Sequence, residues 1–443
     1  MELPPPLTVA ASGDVLGERG PGYFMDEHGG AAVFEKVKPL LEPAALSFVN
    51  VEGPISTTGT RASWKEYTFR GRPALADGLA SAGIDVISLA IGDPVEPTPA
   101  SIIQELYRTA QDPENHRYPT DEEKGMYAFR EAVAAWYRER YGVTLNPADE
   151  VLGLIGSKEG CHHFIFACTN PGDIVLMTDP GYPAYRASIL MGNCEPYSMP
   201  MLPANDYFPI FEDIPKDVVK RAKAMFLNYP NNPTGACGSR EFFKKAVAFA
   251  KENGIAICYD NPYSEVVFEG QERLSFLCVD GAKDVAVELN SLSKPYNMTG
   301  WRIGMAMGNP QIVAAISKVK ENTDSGIFNA VQFAGIQALT QENENITRML
   351  GIYRKRRELV LGTLKKIGID FKAPKGTFYL WIPVPKGMTS LEFTDRLFEK
   401  TAVVVAAGPA YGKYGEGFIR ISLTVPDARL KEAMARIEKE FGG

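Results

Sequence analysis

Lys294 closes the run Ser291-Leu292-Ser293-Lys294, and Arg302 follows eight residues later within Asn297-Met298-Thr299-Gly300-Trp301-Arg302-Ile303-Gly304. A lysine attacks an aldehyde when its surroundings lower its pKa, and two hydroxyls with an arginine close by suit a phosphate. One cofactor carries both an aldehyde and a phosphate, pyridoxal 5'-phosphate (PLP), and this run predicts a site for it. Four residues alone would read as a solvated loop. The segments around them decide the matter.

Three polar clusters each follow a short apolar run that reads as a buried strand. After Ala224-Met225-Phe226-Leu227 comes Asn228-Tyr229-Pro230-Asn231-Asn232-Pro233-Thr234-Gly235, whose prolines stop strand and helix alike. After Ile255-Ala256-Ile257-Cys258 comes Tyr259-Asp260-Asn261-Pro262-Tyr263, and after Val285-Ala286-Val287-Glu288-Leu289 comes the lysine run. Open α/β sheets bind ligands beyond the carboxyl ends of their strands, so the three clusters predict one crevice. A fourth run, Val151-Leu152-Gly153-Leu154-Ile155, leads into Gly156-Ser157-Lys158-Glu159-Gly160, a tight turn opening a helix whose free N–H groups suit an anion.

From about Ile91 onward, about four-fifths of the chain resembles the fold-type I aminotransferases, most of all the LL-diaminopimelate aminotransferase group, on these motifs in this order. The resemblance implies a role for each matching position. Lys294 is the lysine that binds the cofactor's aldehyde and later moves the substrate's Cα proton. Asp260 pairs with the pyridine nitrogen. Asn232 and Tyr263 hold the ring's phenolic oxygen, and Tyr182, in Asp179-Pro180-Gly181-Tyr182-Pro183, stacks on the ring. Ser157, Lys158, Ser291, Ser293 and Arg302 surround the phosphate. Tyr118 reaches the phosphate of a neighbouring subunit, which makes the active unit a homodimer. Arg420, in Gly417-Phe418-Ile419-Arg420-Ile421-Ser422, clamps the substrate carboxylate, with Gly92 and Asn232 beside it.

Two stretches depart from that pattern or refine it. Thr120-Asp121-Glu122-Glu123-Lys124 is longer than the family's spacing between Tyr118 and the next glycine, which bears on substrate specificity. Asp324-Ser325-Gly326-Ile327-Phe328-Asn329, ahead of a helix, leans toward the diaminopimelate group.

Residues 1–90 resemble something else. Gly13-Asp14-Val15-Leu16-Gly17, Phe48-Val49-Asn50-Val51-Glu52-Gly53-Pro54, Tyr67-Thr68-Phe69-Arg70-Gly71 and Ala82-Gly83-Ile84-Asp85-Val86-Ile87-Ser88-Leu89-Ala90 are similar to the start of the capsule or poly-γ-glutamate synthesis proteins, which have a metallophosphoesterase-like fold. That family continues with Asn-Asn-His, whereas this chain has Ile91-Gly92-Asp93, so the two resemblances meet near Ala90 as a fusion. Asp14, Asn50 and Glu52 are the surviving polar positions. Without the histidine, and with the rest of that fold gone, no metal site is expected; the segment reads as structural, with one amphipathic helix at Phe34, Val37, Leu40 and Leu41.

Composition is that of a large globular enzyme: 443 residues, 45% hydrophobic and 23% charged. A net charge of −7 argues against general nucleic-acid binding. Arg354-Lys355-Arg356-Arg357 reads as a solvated helix face. Six cysteines lack any Cys-x-x-Cys pair and read as reduced core residues. His162 and His163 are adjacent on a helix and point different ways, so they do not read as metal ligands. No signal peptide or apolar span appears, leaving the cytoplasm as the expected location and no membrane contact.

The fold expected is α/β of the fold-type I aminotransferase kind. Residues 120–325 form a large PLP-binding domain with a mostly parallel sheet, and 91–119 with 326–443 form a smaller α/β domain. The expected function is ping-pong amino transfer between an amino acid, glutamate foremost, and a 2-oxo acid. Two alternatives stay open: a lyase, cyclase or oxidase on the same scaffold, and a metal-dependent phosphoesterase or polymer-synthesis protein carried by residues 1–90.

Overall fold

The computed structural model describes residues 85–119 and 124–442. The polar positions Asp14, Asn50 and Glu52, the helix expected at 34–41 and most of the loop at 120–124 lie outside the described residues.

Among the described residues, eight strands precede residue 310: β1 (Ile87–Ser88), β2 (Val151–Leu154), β3 (Ile174–Asp179), β4 (Glu195–Pro200), β5 (Ala222–Leu227), β6 (Ala256–Asp260), β7 (Ala286–Ser291) and β8 (Gly304–Gly308). All but β1 form one sheet in the order β2-β8-β7-β6-β5-β3-β4. Pairing is parallel from β7 to β4, and β8 runs antiparallel to both of its neighbours. Every residue of β2, β3, β7 and β8 is buried, which is why these strands read as unbroken apolar runs rather than alternating ones. β4 departs furthest from this: it is an edge strand, mostly half-buried or exposed, and tolerates Pro196 and Pro200 there.

A second, smaller sheet has the order β11 (Ala406–Ala407), β12 (Phe418–Ser422), β9 (Tyr379–Pro383), all antiparallel. The long helix Asn343–Lys366 and the helices Ser390–Thr401 and Asp427–Phe441 accompany it. The expected class is therefore the one observed.

Residues 85–91 belong to this smaller unit. β1 pairs in parallel with β10 (Val403–Val404), Leu89 N–H donates to the Val404 carbonyl at 2.7 Å, and Ser422 N–H donates to the Leu89 carbonyl at 2.8 Å. Ile87 and Leu89 are buried, and Asp85 is held by Arg429 and Arg436. The point near Ala90 where the two sequence resemblances meet thus falls inside a hydrogen-bonded run, not in a linker.

The basic run on the long helix differs from expectation. Arg356 is buried and gathers Glu96, Asp427 (2.6 Å) and the Leu423 carbonyl (3.1 Å), while Arg357 packs over the Phe268 ring at 4.8 Å. Instead of a solvated face, it ties the long helix to the chain ahead of the first helix and to the C-terminal helix. Its partners lie far off in sequence, which is why the run looks solvated when read alone.

One polar network stiffens the sheet near its functional edge. The buried Glu288 carboxylate accepts from Tyr137 Oη (2.9 Å), Asn261 Nδ2 (2.8 Å), Ser275 Oγ (2.7 Å) and Phe276 N–H (2.8 Å). Four donors on one buried carboxylate leave it few ways to rearrange.

All six cysteines are unpaired. Among the described residues, no helix is long and apolar enough to cross a membrane.

Leu89→Ala is expected to cost about 2–5 kcal/mol, because it empties a fully buried site between the β1–β10 pair and the smaller sheet. Chemical denaturation checks it; a loss below about 1 kcal/mol would mean that residues 85–91 are not part of the cooperative fold.

Candidate active site

Five parallel strand ends converge on one edge of the large sheet. Beyond β2 stand Gly156 and Ser157, beyond β3 Tyr182, beyond β5 Asn232, at the end of β6 Asp260, and beyond β7 Lys294. β8 starts at the same edge because it is antiparallel, and that places Arg302, just before it, in the same company.

Lys294 Nζ donates to the Gly92 carbonyl at 2.9 Å and lies 5.7 Å from the Phe378 ring centre. Burial pulls its pKa down to about 8, opposed by Asp93 and helped by Arg420 and Arg302. Asp260 is buried as well. Tyr185 Oη donates to its Oδ2 at 2.8 Å, while its Oδ1 is buried with no hydrogen-bond partner. Burial lifts this carboxyl to about 6, against the hydrogen bond from Tyr185 and the influence of the nearby Ser157 hydroxyl. Asn228 links two strand ends: its Nδ2 donates to the Asp260 carbonyl at 2.6 Å, and its Oδ1 accepts from Asn232 N–H at 2.8 Å.

Arg420, from the smaller sheet, donates through Nη1 to Asn232 Oδ1 at 2.7 Å and through Nη2 to the Ala90 carbonyl, and its buried Nε has no partner. Its guanidinium carbon lies 3.9 Å from the Tyr379 ring centre and 4.8 Å from that of Tyr411. Tyr263 and Tyr379 share a hydroxyl contact of 3.2 Å. Lys158 Nζ sits 6.0 Å from the Tyr182 ring centre.

Gly156 caps the helix Ser157–Cys168 at φ +105, where a side chain would be strained, and a Cβ there would lie 2.4 Å from Arg302 Nη2. The close approach lets Arg302 lie against the turn and the helix's first N–H groups. Ser293 N–H donates to Ser291 Oγ at 3.1 Å, so the serine pair shapes its own loop. Two residues into the helix, Glu159 meets Lys320 Nζ at 2.8 Å, and the same ammonium meets Asp324 Oδ1 at 2.7 Å. Lys320 is fully buried, so this ion pair is what fastens the Asp324–Phe328 loop to the Gly156 turn. Glu159, His163 and Asp324 have donor atoms within 4.8 Å of one another, but the cation they hold is this ammonium. Burial lifts Glu159 to about 7 and lowers His163 to about 4.

Of the positions predicted from sequence, Lys294, Asp260, Tyr182, Asn232, Tyr263, Ser157, Lys158, Ser291, Ser293, Arg302, Gly92 and Arg420 gather around this crevice. Tyr118 stands apart. It is 77% exposed and lines an open groove with His116, Arg117, Pro119, Ser325 and Phe328. Sequence reading missed Tyr185, Asn228, Phe378, Tyr379 and Tyr411. Tyr185 falls one helical turn after Tyr182, a spacing that could have marked it; the small-sheet aromatics come close only through tertiary folding.

Residues 84–437 match the family described as aminotransferase class I and II. The chain belongs to that family. The LL-diaminopimelate aminotransferase of Moorella thermoacetica is 48% identical over 360 residues, 81% of this chain and 92% of the relative. That of Aquifex aeolicus is 51% identical over 357 residues, 80% and 92%. Among solved structures, substrate-bound BacF from Bacillus subtilis superposes with TM-score 0.78 at 40% identity, covering 82% of this chain and 92% of that one. A probable N-succinyldiaminopimelate aminotransferase from Thermus thermophilus gives 0.77 at 35%, covering 82% and 97%. Residues 8–91 match a second family, bacterial capsule synthesis protein PGA_cap, as the N-terminal motifs led one to expect. The two matches overlap at residues 84–91.

This aminotransferase is a PLP enzyme whose substrates are small molecules, an amino acid and a 2-oxo acid. Its crevice fits the cofactor on three independent points: a buried lysine with depressed pKa, a buried carboxylate oxygen lacking a donor, and an arginine against a helix N-terminus.

Two outcomes follow. Capture of PLP by the apoprotein, trapped with borohydride, should rise with pH to half its maximum near pH 8, because only the neutral amine attacks and its population grows as pH passes the lysine's pKa. A midpoint near 10, that of an ordinary lysine, would overturn the burial argument. Lys320→Met should destabilise the protein by about 3–5 kcal/mol by leaving Glu159 and Asp324 without their cation, and adding Glu159→Gln and Asp324→Asn should recover part of that loss in denaturant titrations.

Proposed function

We propose that the crevice exchanges an amino group between glutamate and a 2-oxo acid of the diaminopimelate class, one substrate leaving before the next binds. The observation that carries this reading is that Lys294, Asp260 and Arg420, from two different sheets, face one buried crevice. The substrate class is supported by relatives at 46–51% identity that bear the name LL-diaminopimelate aminotransferase. At that identity a lyase, cyclase or oxidase reaction has less support.

In this reading the chain's own groups divide the work. Lys294 binds the aldehyde and, once released, carries the proton to and from the substrate's Cα; a pKa near 8 keeps a sizeable share of it neutral at physiological pH. Asp260 presents its unpaired Oδ1 to a protonated ring nitrogen, and Tyr185 holds the carboxylate in place. Tyr182 stacks on the ring, and Asn232 and Tyr263 hold the phenolic oxygen. The helix N-terminus, Ser157, Lys158, Ser291, Ser293 and Arg302 neutralise and orient the phosphate. When bound, the cofactor supplies an electron sink for the carbanion. Arg420 fixes the substrate carboxylate, with Asn232 and the Gly92 backbone beside it. Closure of a smaller domain, residues 91–119 and 326–443 together with the paired run 85–90, over the larger one at 120–325 would exclude water.

We propose further that the active unit is a homodimer, in which the exposed Tyr118 groove meets a second copy and its tyrosine completes that copy's phosphate site. A cytoplasmic location accords with six unpaired cysteines.

The PLP-loaded protein, given L-glutamate alone, should convert its cofactor to pyridoxamine phosphate with release of an equal amount of 2-oxoglutarate. Lys294→Ala should be slower by at least about a hundredfold. Given instead to the PLP-loaded protein, LL-diaminopimelate should serve as donor too, leaving its 2-oxo acid and pyridoxamine phosphate. A wild-type protein that binds PLP yet releases no oxo acid from glutamate or LL-diaminopimelate would sink the proposed substrates.

A further inference from the structure

Tyr379 opens β9, a strand that sequence reading assigned to the smaller domain without any part in the site. Its place is tightly specified. Thr377 adopts φ +65, its hydroxyl accepts from Tyr379 N–H at 3.0 Å, and Tyr379 pairs in register with Ser422, two residues beyond Arg420. The side chain is buried and meets three different parts of the crevice. Its ring face lies 3.9 Å from the guanidinium carbon of Arg420. Its hydroxyl lies 3.2 Å from that of Tyr263. A Cβ added at Gly92 would come within 1.7 Å of the same hydroxyl, so the backbone that accepts from Lys294 is pressed against it.

We propose that Tyr379 is a positioning residue that couples carboxylate recognition to the hold on the cofactor ring, a proposal that rests on the roles given above to Arg420 and Tyr263. The ring does the first half. An arginine side chain has several rotatable bonds, and a planar fork binds a carboxylate well only if its plane is already set. Tyr379 on one face, Tyr411 close by, and hydrogen bonds to Asn232 and the Ala90 carbonyl set that plane before substrate arrives. The hydroxyl does the second half. A phenol has one proton to donate, and a hydroxyl neighbour at 3.2 Å helps determine which way the Tyr263 proton turns. The strength of the hydrogen bond from Tyr263 to the cofactor's ring oxygen then depends on a residue whose ring also holds Arg420. Aromatic residues of other kinds could stack on Arg420, but only tyrosine offers both contacts from a strand position this close to Gly92.

Two variants separate the halves. Tyr379→Phe keeps the ring and removes the hydroxyl; Tyr379→Leu removes the ring. Both are loaded with PLP, and three quantities are followed: affinity for the unreactive dicarboxylate maleate, the pH midpoint of the bound cofactor's visible absorption, and KM against kcat with glutamate. Tyr379→Phe should bind maleate within about threefold of wild type while its absorption midpoint moves by about half a pH unit or more. Tyr379→Leu should bind maleate about tenfold more weakly, with KM raised more than kcat is lowered. An unmoved midpoint in Tyr379→Phe, or unchanged maleate affinity in a folded, PLP-loaded Tyr379→Leu, overturns the proposal. If the leucine variant fails to fold, the phenylalanine variant decides alone. Failure of the underlying reading looks different, because there the wild-type protein itself would neither bind maleate nor respond to glutamate.

Discussion

Two groups of opposite charge preference are buried along one edge of a sheet with neither neutralising the other. Among the described residues, Lys294 donates to a backbone carbonyl alone, and one oxygen of Asp260 has no donor. Leaving such groups in a low-dielectric interior is costly, and both pKa values move toward the uncharged form as a result. The architecture around them makes that arrangement sustainable. The parallel strands are buried on both faces and cannot slide, the Glu288 network fixes the strand beside Asp260, and Asn228 ties its carbonyl to the next turn. In the proposed reading, a ligand with an aldehyde, a basic ring nitrogen and a phosphate would meet these groups, so cofactor binding would offset part of the cost of burying them.

The smaller sheet contributes the groups that the larger one lacks. Arg420 is a buried cation of the smaller sheet, held close to the Tyr379 and Tyr411 rings and in contact with Asn232, which follows a strand of the larger one. Arg356 performs a similar service within the scaffold, gathering carboxylates from both ends of the chain onto the long helix. Lys320 does so beneath the phosphate turn. In each case a buried cation joins segments that are remote in sequence.

That remoteness explains what sequence could and could not reveal. The large sheet was legible because its parallel strands are continuous apolar runs, each followed at once by the polar residues that face the crevice; Lys294, Asp260, Asn232 and Arg302 needed no knowledge of long-range contacts. Arg356 was misread as solvated because Glu96 and Asp427 lie 260 and 71 residues away. Tyr185 and Tyr379 went unnoticed since a tyrosine in a helix or strand carries no local mark of whom it touches. The run 85–90 was read with the capsule-synthesis-like segment, because a short apolar run suits an edge of either of two folds, and its pairing with Val403 and Val404 places it with the smaller sheet instead.

The same run has a consequence for how such a chain can vary. Ala90 and Gly92 supply carbonyl oxygens to Arg420 and Lys294, so a stretch that both family matches share, or that lies next to it, is also part of the crevice wall. Side chains along it can drift as long as positions 87 and 89 stay apolar and position 92 stays glycine, where a Cβ would meet the Tyr379 hydroxyl. Its length cannot, since one residue gained or lost would turn each carbonyl to the other face. Descent at this seam is therefore permissive toward substitution and strict toward insertion and deletion.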